Sequence, residues 1–186
     1  MPLTTYTPGQ VLDAASLNAN LVFAAATGVT LVSATTIGTT VSSVTVSSAF
    51  SSTYDNYLIM VAGGVASVST SIRMTLGATA TGYYSGGIYN TFASATVTAQ
   101  SQSNAAFWSV GSGTANSLSS NIILFSPNLA KATLFDASNV AVLTNGDTTR
   151  IGGFLDNTTS YTAFTLTATS GTFTGGTIYV YGYAKV

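Results

Sequence analysis

The sequence predicts an all-β protein: a jelly-roll-like antiparallel β-sandwich preceded by a short N-terminal extended segment and helix. Three observations predict it. Short apolar runs, several alternating with Ser and Thr, recur along most of the chain, the pattern of buried and half-buried strands. Gly, Asn and Ser cluster between these runs, where turns are needed. After residue 28 no helix-period pattern separates the runs, which argues for a sandwich over a parallel α/β sheet.

The N-terminal segment, residues 1–28, stands apart from the sandwich domain, residues 29–186. Residues 3–6 read as extended, and Pro8-Gly9 as a turn. Asp13 suits a helix N-cap. Residues 14–26 are Ala-rich, with Leu17, Leu21 and Ala24 at helical spacing and Gly28 where a helix would stop. A helix of about 13 residues is marginal alone in water and needs a surface to pack on. That surface is either its own domain or another subunit, and Leu17, Leu21 and Phe23 are the candidate attachment residues.

The strands follow in order. Residues 41–46 are rich in Ser, Thr and Val, and residues 57–62 are continuously apolar. Ile72, Met74 and Leu76 alternate with Arg73 and Thr75. Residues 122–125 are apolar on both faces and end at Ser126-Pro127. Residues 132–135 form a short run. Residues 140–143 lead into Asn145-Gly146-Asp147, the strongest hairpin signal, with 149–154 as the returning strand. Residues 161–168 alternate. In the last strand, residues 177–185, Ile178 and Val180 share one face and Tyr179, Tyr181 and Tyr183 the other. A strand with one solvated face would carry polar residues there. The three tyrosines therefore predict cover, either by a loop of the same chain or at an oligomer interface, where Tyr suits a half-wet contact.

Composition narrows the function. Hydrophobic residues make up 46% of the 186, enough for a core, while charged residues are only 5% against a usual value of about 25%. Few charges mean little self-repulsion, which predicts association of copies, a homo-oligomer. Mean hydropathy is +0.44, but no apolar run approaches the roughly 20 residues of a membrane-spanning helix. The opening residues carry no Lys or Arg ahead of an apolar run, so no secretory signal is expected. With no Cys and no His, zinc, haem and iron–sulfur sites lose their usual ligands, and no metal site or cofactor is expected. The net charge of −1 and the scattered Arg73, Lys131, Arg150 and Lys185 predict no nucleic-acid partner.

Catalytic chemistry finds few residues to use, and no catalytic residue is assigned. The Ser–His and Cys–His arrangements are excluded by composition. A Ser–Lys pair would need Lys131 or Lys185, and neither lies in a recognisable motif. Glycan cleavage needs two carboxylates across a cleft. There is no Glu. Asp13, Asp55 and Asp147 fall at a cap, a loop end and a turn, leaving Asp136 and Asp156 as the candidate pair. The Gly-Gly pairs at 63, 86, 152 and 175 lack a following Lys and read as bulges and turns. Binding fits better. Tyr83, Tyr84 and Tyr89 lie in a Gly-flanked stretch that reads as an aromatic loop for stacking on sugar rings. Phe107-Trp108 lies in another Ser/Asn-rich stretch. The competing reading places these rings in the core or at a subunit contact.

Three segments carry a resemblance. Residues 6–19 (YTPGQVLDAASLNA) resemble the short segment that opens many phage fibre proteins. Residues 170–183 (SGTFTGGTIYVYGY) resemble the closing strand of a β-sandwich domain of phage virion proteins. Residues 50–57 (FSSTYDNY) are similar to the loop that leads into a strand of that domain. The resemblance to tailed-bacteriophage structural proteins implies a non-enzymatic virion component, a homotrimer on the particle surface beside other phage structural proteins. It implies either a fibre anchored by its N-terminus and contacting a host glycan, or a capsid cement, decoration or head-fibre protein. A tailspike-type glycan hydrolase is the further alternative. The resemblance also implies that residues 77–121 vary and form exposed loops.

Overall fold

A computed structural model describes Ala15 and residues 28–94, 96–142 and 146–185. All strand pairing among these residues is antiparallel. The helix expected over residues 14–26, with Leu17, Leu21 and Phe23, lies outside the described residues apart from Ala15.

Fourteen strands are described. The first five are β1 (Val29–Thr36), β2 (Ser43–Val46), β3 (Asn56–Ala62), β4 (Val65–Ala66) and β5 (Thr70–Leu76). Then come β6 (Tyr83–Thr91), β7 (Val97–Ala105), β8 (Trp108–Thr114) and β9 (Ser117–Phe125). The last are β10 (Thr133–Ala141), β11 (Asp147–Leu155), β12 (Phe164–Ala168), β13 (Phe173–Thr174) and β14 (Thr177–Tyr183). One hydrogen-bonded path runs β2-β12-β5-β8-β9-β10-β11-β6-β7, and β3, β14 and β1 branch from β9. Strand β9 makes the corner. Its first residues, Ser117 to Ser119, pair with β8, and its later ones pair with β3 and β10. Two layers result: a large one, β1-β14-β3-β9-β10-β11-β6-β7, and a small one, β2-β12-β5-β8.

The layers bury one face each against the other. Ile72, Met74, Leu166, Phe164 and Trp108 from the small layer meet Ile59, Ile122, Leu124, Phe135, Ile178 and Val180 from the large one in a single core cluster. The fit leaves an apolar void of about 10 Å³, lined from both layers by Val44, Ile72, Leu166, Val61, Leu118 and Ile178 among others. Tyr57 closes the loop before β3. Its hydroxyl donates to the Ser51 carbonyl and accepts from the Ser51 amide, while its ring meets Phe50 edge-on at 4.9 Å. The hairpin expected around Gly146 joins β10 to β11, and Gly146 takes the positive φ that such a turn uses.

Several expectations change. Residues 77–121 do not form exposed loops; they supply β6 and β7, β8 and most of β9. Ser, Gln and Asn occupy strand positions there, so the period-2 signal is weak, yet the paired neighbours supply the hydrogen bonds. The runs expected at 132–135 and 140–143 meet in one strand, β10, over Thr133–Ala141, in which Asp136 and Ser138 point outward while Ala137 and Asn139 point in. Gly86-Gly87 and Gly152-Gly153 are neither turns nor bulges: the β6–β11 register passes through them without a shift. Gly63-Gly64 and Gly175-Gly176 are turns, all four at positive φ.

Candidate functional site

Strand alternation decides where each predicted residue goes. The stretch read as an aromatic loop is strand β6, so its tyrosines separate. Tyr83 and Tyr89 share the core-side parity and Tyr84 points outward. Tyr83 is fully buried, accepts from the Leu76 amide at 2.8 Å and donates to the Thr79 carbonyl. Burial pushes its phenol up to about 12 against the opposing pull of the Leu76 hydrogen bond, so it stays a neutral structural group. Trp108 is also core: its ring meets Tyr83 at 5.0 Å and Phe135 at 4.5 Å, and Nε1 donates to the Phe154 carbonyl. The three tyrosines therefore make no common sugar platform. Phe107 lies under the Arg73 guanidinium, 4.0 Å from its ring centre.

Asp136 and Asp156 do not face one another across a cleft. Asp136 pairs in register with Gly152, so Asp156, just past the end of β11, lies four residues further along the chain, about 13 Å at strand rise. A glycosidase pair needs separations of roughly 5–10 Å. Asp136 instead binds Arg150, Oδ2 to Nη2 at 2.6 Å. Asp55 pairs with Lys185 at 2.8 Å.

What the fold does assemble is the outer face of the large layer. Tyr179, Tyr181 and Tyr183 line one strand of it, each half-buried. Register places Leu31, Tyr181, Leu58 and Ile123 in one row across β1, β14, β3 and β9. A second row holds Phe125, Leu134, Phe154 and Tyr84 across β9, β10, β11 and β6. Leu31 is 52% exposed, Leu134 48% and Met60, beside Tyr179, 39%. At about 4.8 Å per strand the two rows together span roughly 29 Å. Contiguous apolar surface of this extent marks a contact site.

The small layer's outer face is the opposite in character. Thr45, Thr165 and Thr75 form one row, and Ser43, Thr167, Arg73 and Ser109 the next. Thr45 and Thr165 share a hydroxyl hydrogen bond of 2.9 Å. The two outer faces thus differ: hydroxyls dominate the small layer's, while the large layer's carries two apolar rows beside the Asp136–Arg150 pair. Sequence reasoning found the tyrosines but missed the rows beside them. The signal was present in residues 57–62 and 122–125, which are apolar at both parities.

Asp147 opens β11 beside a hollow lined by Ser69, Thr70, Ser71 and Ser112. Its Oδ1 is buried with no hydrogen-bond partner among the described residues, and burial raises its carboxyl above the usual 3.8. A raised folded-state pKa means that the native state binds the proton more tightly than the unfolded chain. The charged form therefore weakens the fold above the raised value, and the loss disappears as pH falls toward 3.8. Asp147→Asn is expected to melt above the parent at neutral pH, with the gap closing on acidification. Thermal melts across that range check it, and a gap that widens in acid would refute it.

The chain matches no protein-family model, no curated protein and no solved structure.

Proposed function

We propose that this chain is a non-enzymatic structural component of a bacteriophage particle, a fibre-type protein whose copies associate through the outer face of the large layer. The observation that carries the reading is the apolar double row, set against a hydroxyl-rich opposite face. A chain with 5% charged residues and an exposed face of Tyr, Leu, Met and Phe has a surface suited to being covered by its own kind. The phage context rests on the resemblance of residues 6–19, 50–57 and 170–183, which also supplies the trimer and the anchoring role of residues 1–28. The repeated passage of the chain between the two layers favours the jelly-roll type of sandwich.

Tyr181 sits between Leu31 and Leu58 and tests the association. Tyr181→Asp places a carboxylate in the middle of the patch that association buries and should weaken the oligomer at least a hundredfold, about 3 kcal/mol. Sedimentation of parent and variant measures it; an unchanged oligomer would remove this face as the contact. An antibody to the chain should in turn label sedimented phage particles, and signal confined to the particle-free supernatant would remove the virion reading.

A further inference from the structure

The hollow beside Asp147 opens between the two layers, where β5 and β11 begin and β8 nears its end. It measures about 260 Å³ and is lined by Ser69, Thr70, Ser71, Ser112 and Asp147, with no Lys or Arg among them. Each water takes about 30 Å³, so the space holds an ion with several waters.

What these groups present to the hollow is set by the bonds they already make. Thr70 Oγ1 accepts from the Ser170 amide at 3.0 Å and donates to the Ser71 carbonyl at 3.3 Å. Its proton is used, so a lone pair is what remains to offer. Ser112 Oγ accepts at 2.9 Å from Nδ2 of Asn139, a buried residue of β10. That bond holds the Ser112 oxygen from behind, as the ligands of a metal are commonly held. Asp147 lies on the core-facing parity of β11, two residues before Thr149, the register partner of Asn139. A carboxylate can only accept, and Oδ1 receives a hydrogen bond from no described residue. Acceptor oxygens therefore gather here with no donor supplied to the buried carboxylate oxygen.

A cation completes such a set. Soft and borderline metals favour Cys and His, which the chain lacks, whereas hard cations take oxygen ligands alone. Among these, calcium accepts an irregular shell of roughly six to eight oxygens, water included. Magnesium demands a near-ideal octahedron, which hydroxyls at the ends of separate strands do not impose. No aromatic ring lines the hollow to seat an organic cation.

We propose that this hollow binds a calcium ion, held by the Asp147 carboxylate and the Thr70 and Ser112 hydroxyl oxygens, with water completing the shell. The ion ties β11 of the large layer to β5 and β8 of the small one and neutralises a carboxylate that otherwise weakens the fold. A single carboxylate makes a weak site, with a dissociation constant near ~1 mM.

The test melts the full chain at neutral pH in ~10 mM CaCl2, in ~10 mM MgCl2 and in NaCl of equal ionic strength. At ten times its dissociation constant, calcium multiplies the folding equilibrium about elevenfold, which should raise the melting temperature by about 4 °C over NaCl. Magnesium should raise it by less than half as much. Asp147→Asn should gain less than about 1 °C from calcium, so the ion closes or reverses the gap between this variant and the parent. In the ¹⁵N-labelled parent, calcium should move the amide signals of Ser71, Ser112 and Asp147. Four results would overturn the site: no calcium gain in the parent, an equal gain in Asp147→Asn, an equal gain from magnesium, or unmoved signals at these three residues. None of them bears on the Tyr181 oligomer measurement.

Discussion

Trp108→Ala is expected to cost about 4 kcal/mol of folding stability, the largest loss from any single side chain among the described residues. Trp108 is fully buried and is the largest fully buried side chain among the described residues. It packs between Tyr83 and Phe135 and ties Nε1 to the Phe154 carbonyl, 46 residues away. Truncation opens a cavity between the layers and leaves that carbonyl without its indole partner. Neighbours in a packed sandwich relax only in part, so transfer and cavity costs add. For a chain of this length the melting temperature should fall by about 10 °C. Trp108→Phe keeps an aromatic ring and should lose less than half as much. A Trp108→Ala loss below about 1 kcal/mol, by denaturant titration, would contradict this packing.

Gly153→Ala is expected to destabilise by about 3 kcal/mol, although it adds one methyl group. The new β-carbon would collide with the Tyr84 carbonyl oxygen and press on the Ser85 α-carbon, both backbone atoms of β6. Gly153 pairs directly with Ser85 in the β6–β11 ladder, so relief requires the two strands to part and ladder hydrogen bonds to lengthen. No rotamer change can absorb the clash. The same substitution at Gly86, one residue out of step on the partner strand, meets open space and should be neutral or stabilising. Parallel melts of Gly153→Ala and Gly86→Ala measure the contrast, and equal effects would mean that the β6–β11 approach is wrong.

The pairing of Asp136 with Arg150 shows why candidate carboxylates could not be sorted beforehand. Asp136 and Asp156 remained after caps and turns were assigned. Asp156 does precede a turn, in which the Asn157 side chain accepts from the Thr159 amide. Asp136 carries no local signal, because its partner is 14 residues away and reaches it diagonally across a strand pair. The aromatic stretch at 83–89 failed differently. Flanking glycines suggested a loop, but Gly86 and Gly87 sit inside β6, and alternation sends Tyr83 into the core and Tyr84 out of it.

Period-2 alternation and turn chemistry are local properties, and they were legible along the chain. Ile72, Met74 and Leu76 point inward as their spacing requires, the hairpin at Gly146 joins β10 to β11, and Ile178 and Val180 oppose Tyr179, Tyr181 and Tyr183 on β14. What lies beside each strand is not local. The rows Leu31–Tyr181–Leu58–Ile123 and Phe125–Leu134–Phe154–Tyr84 bring together residues up to 150 positions apart. Only the tertiary pairing decides them. Register is set by which faces must be buried together across the whole sandwich, and shifting any strand by one residue would turn its core residues out to solvent.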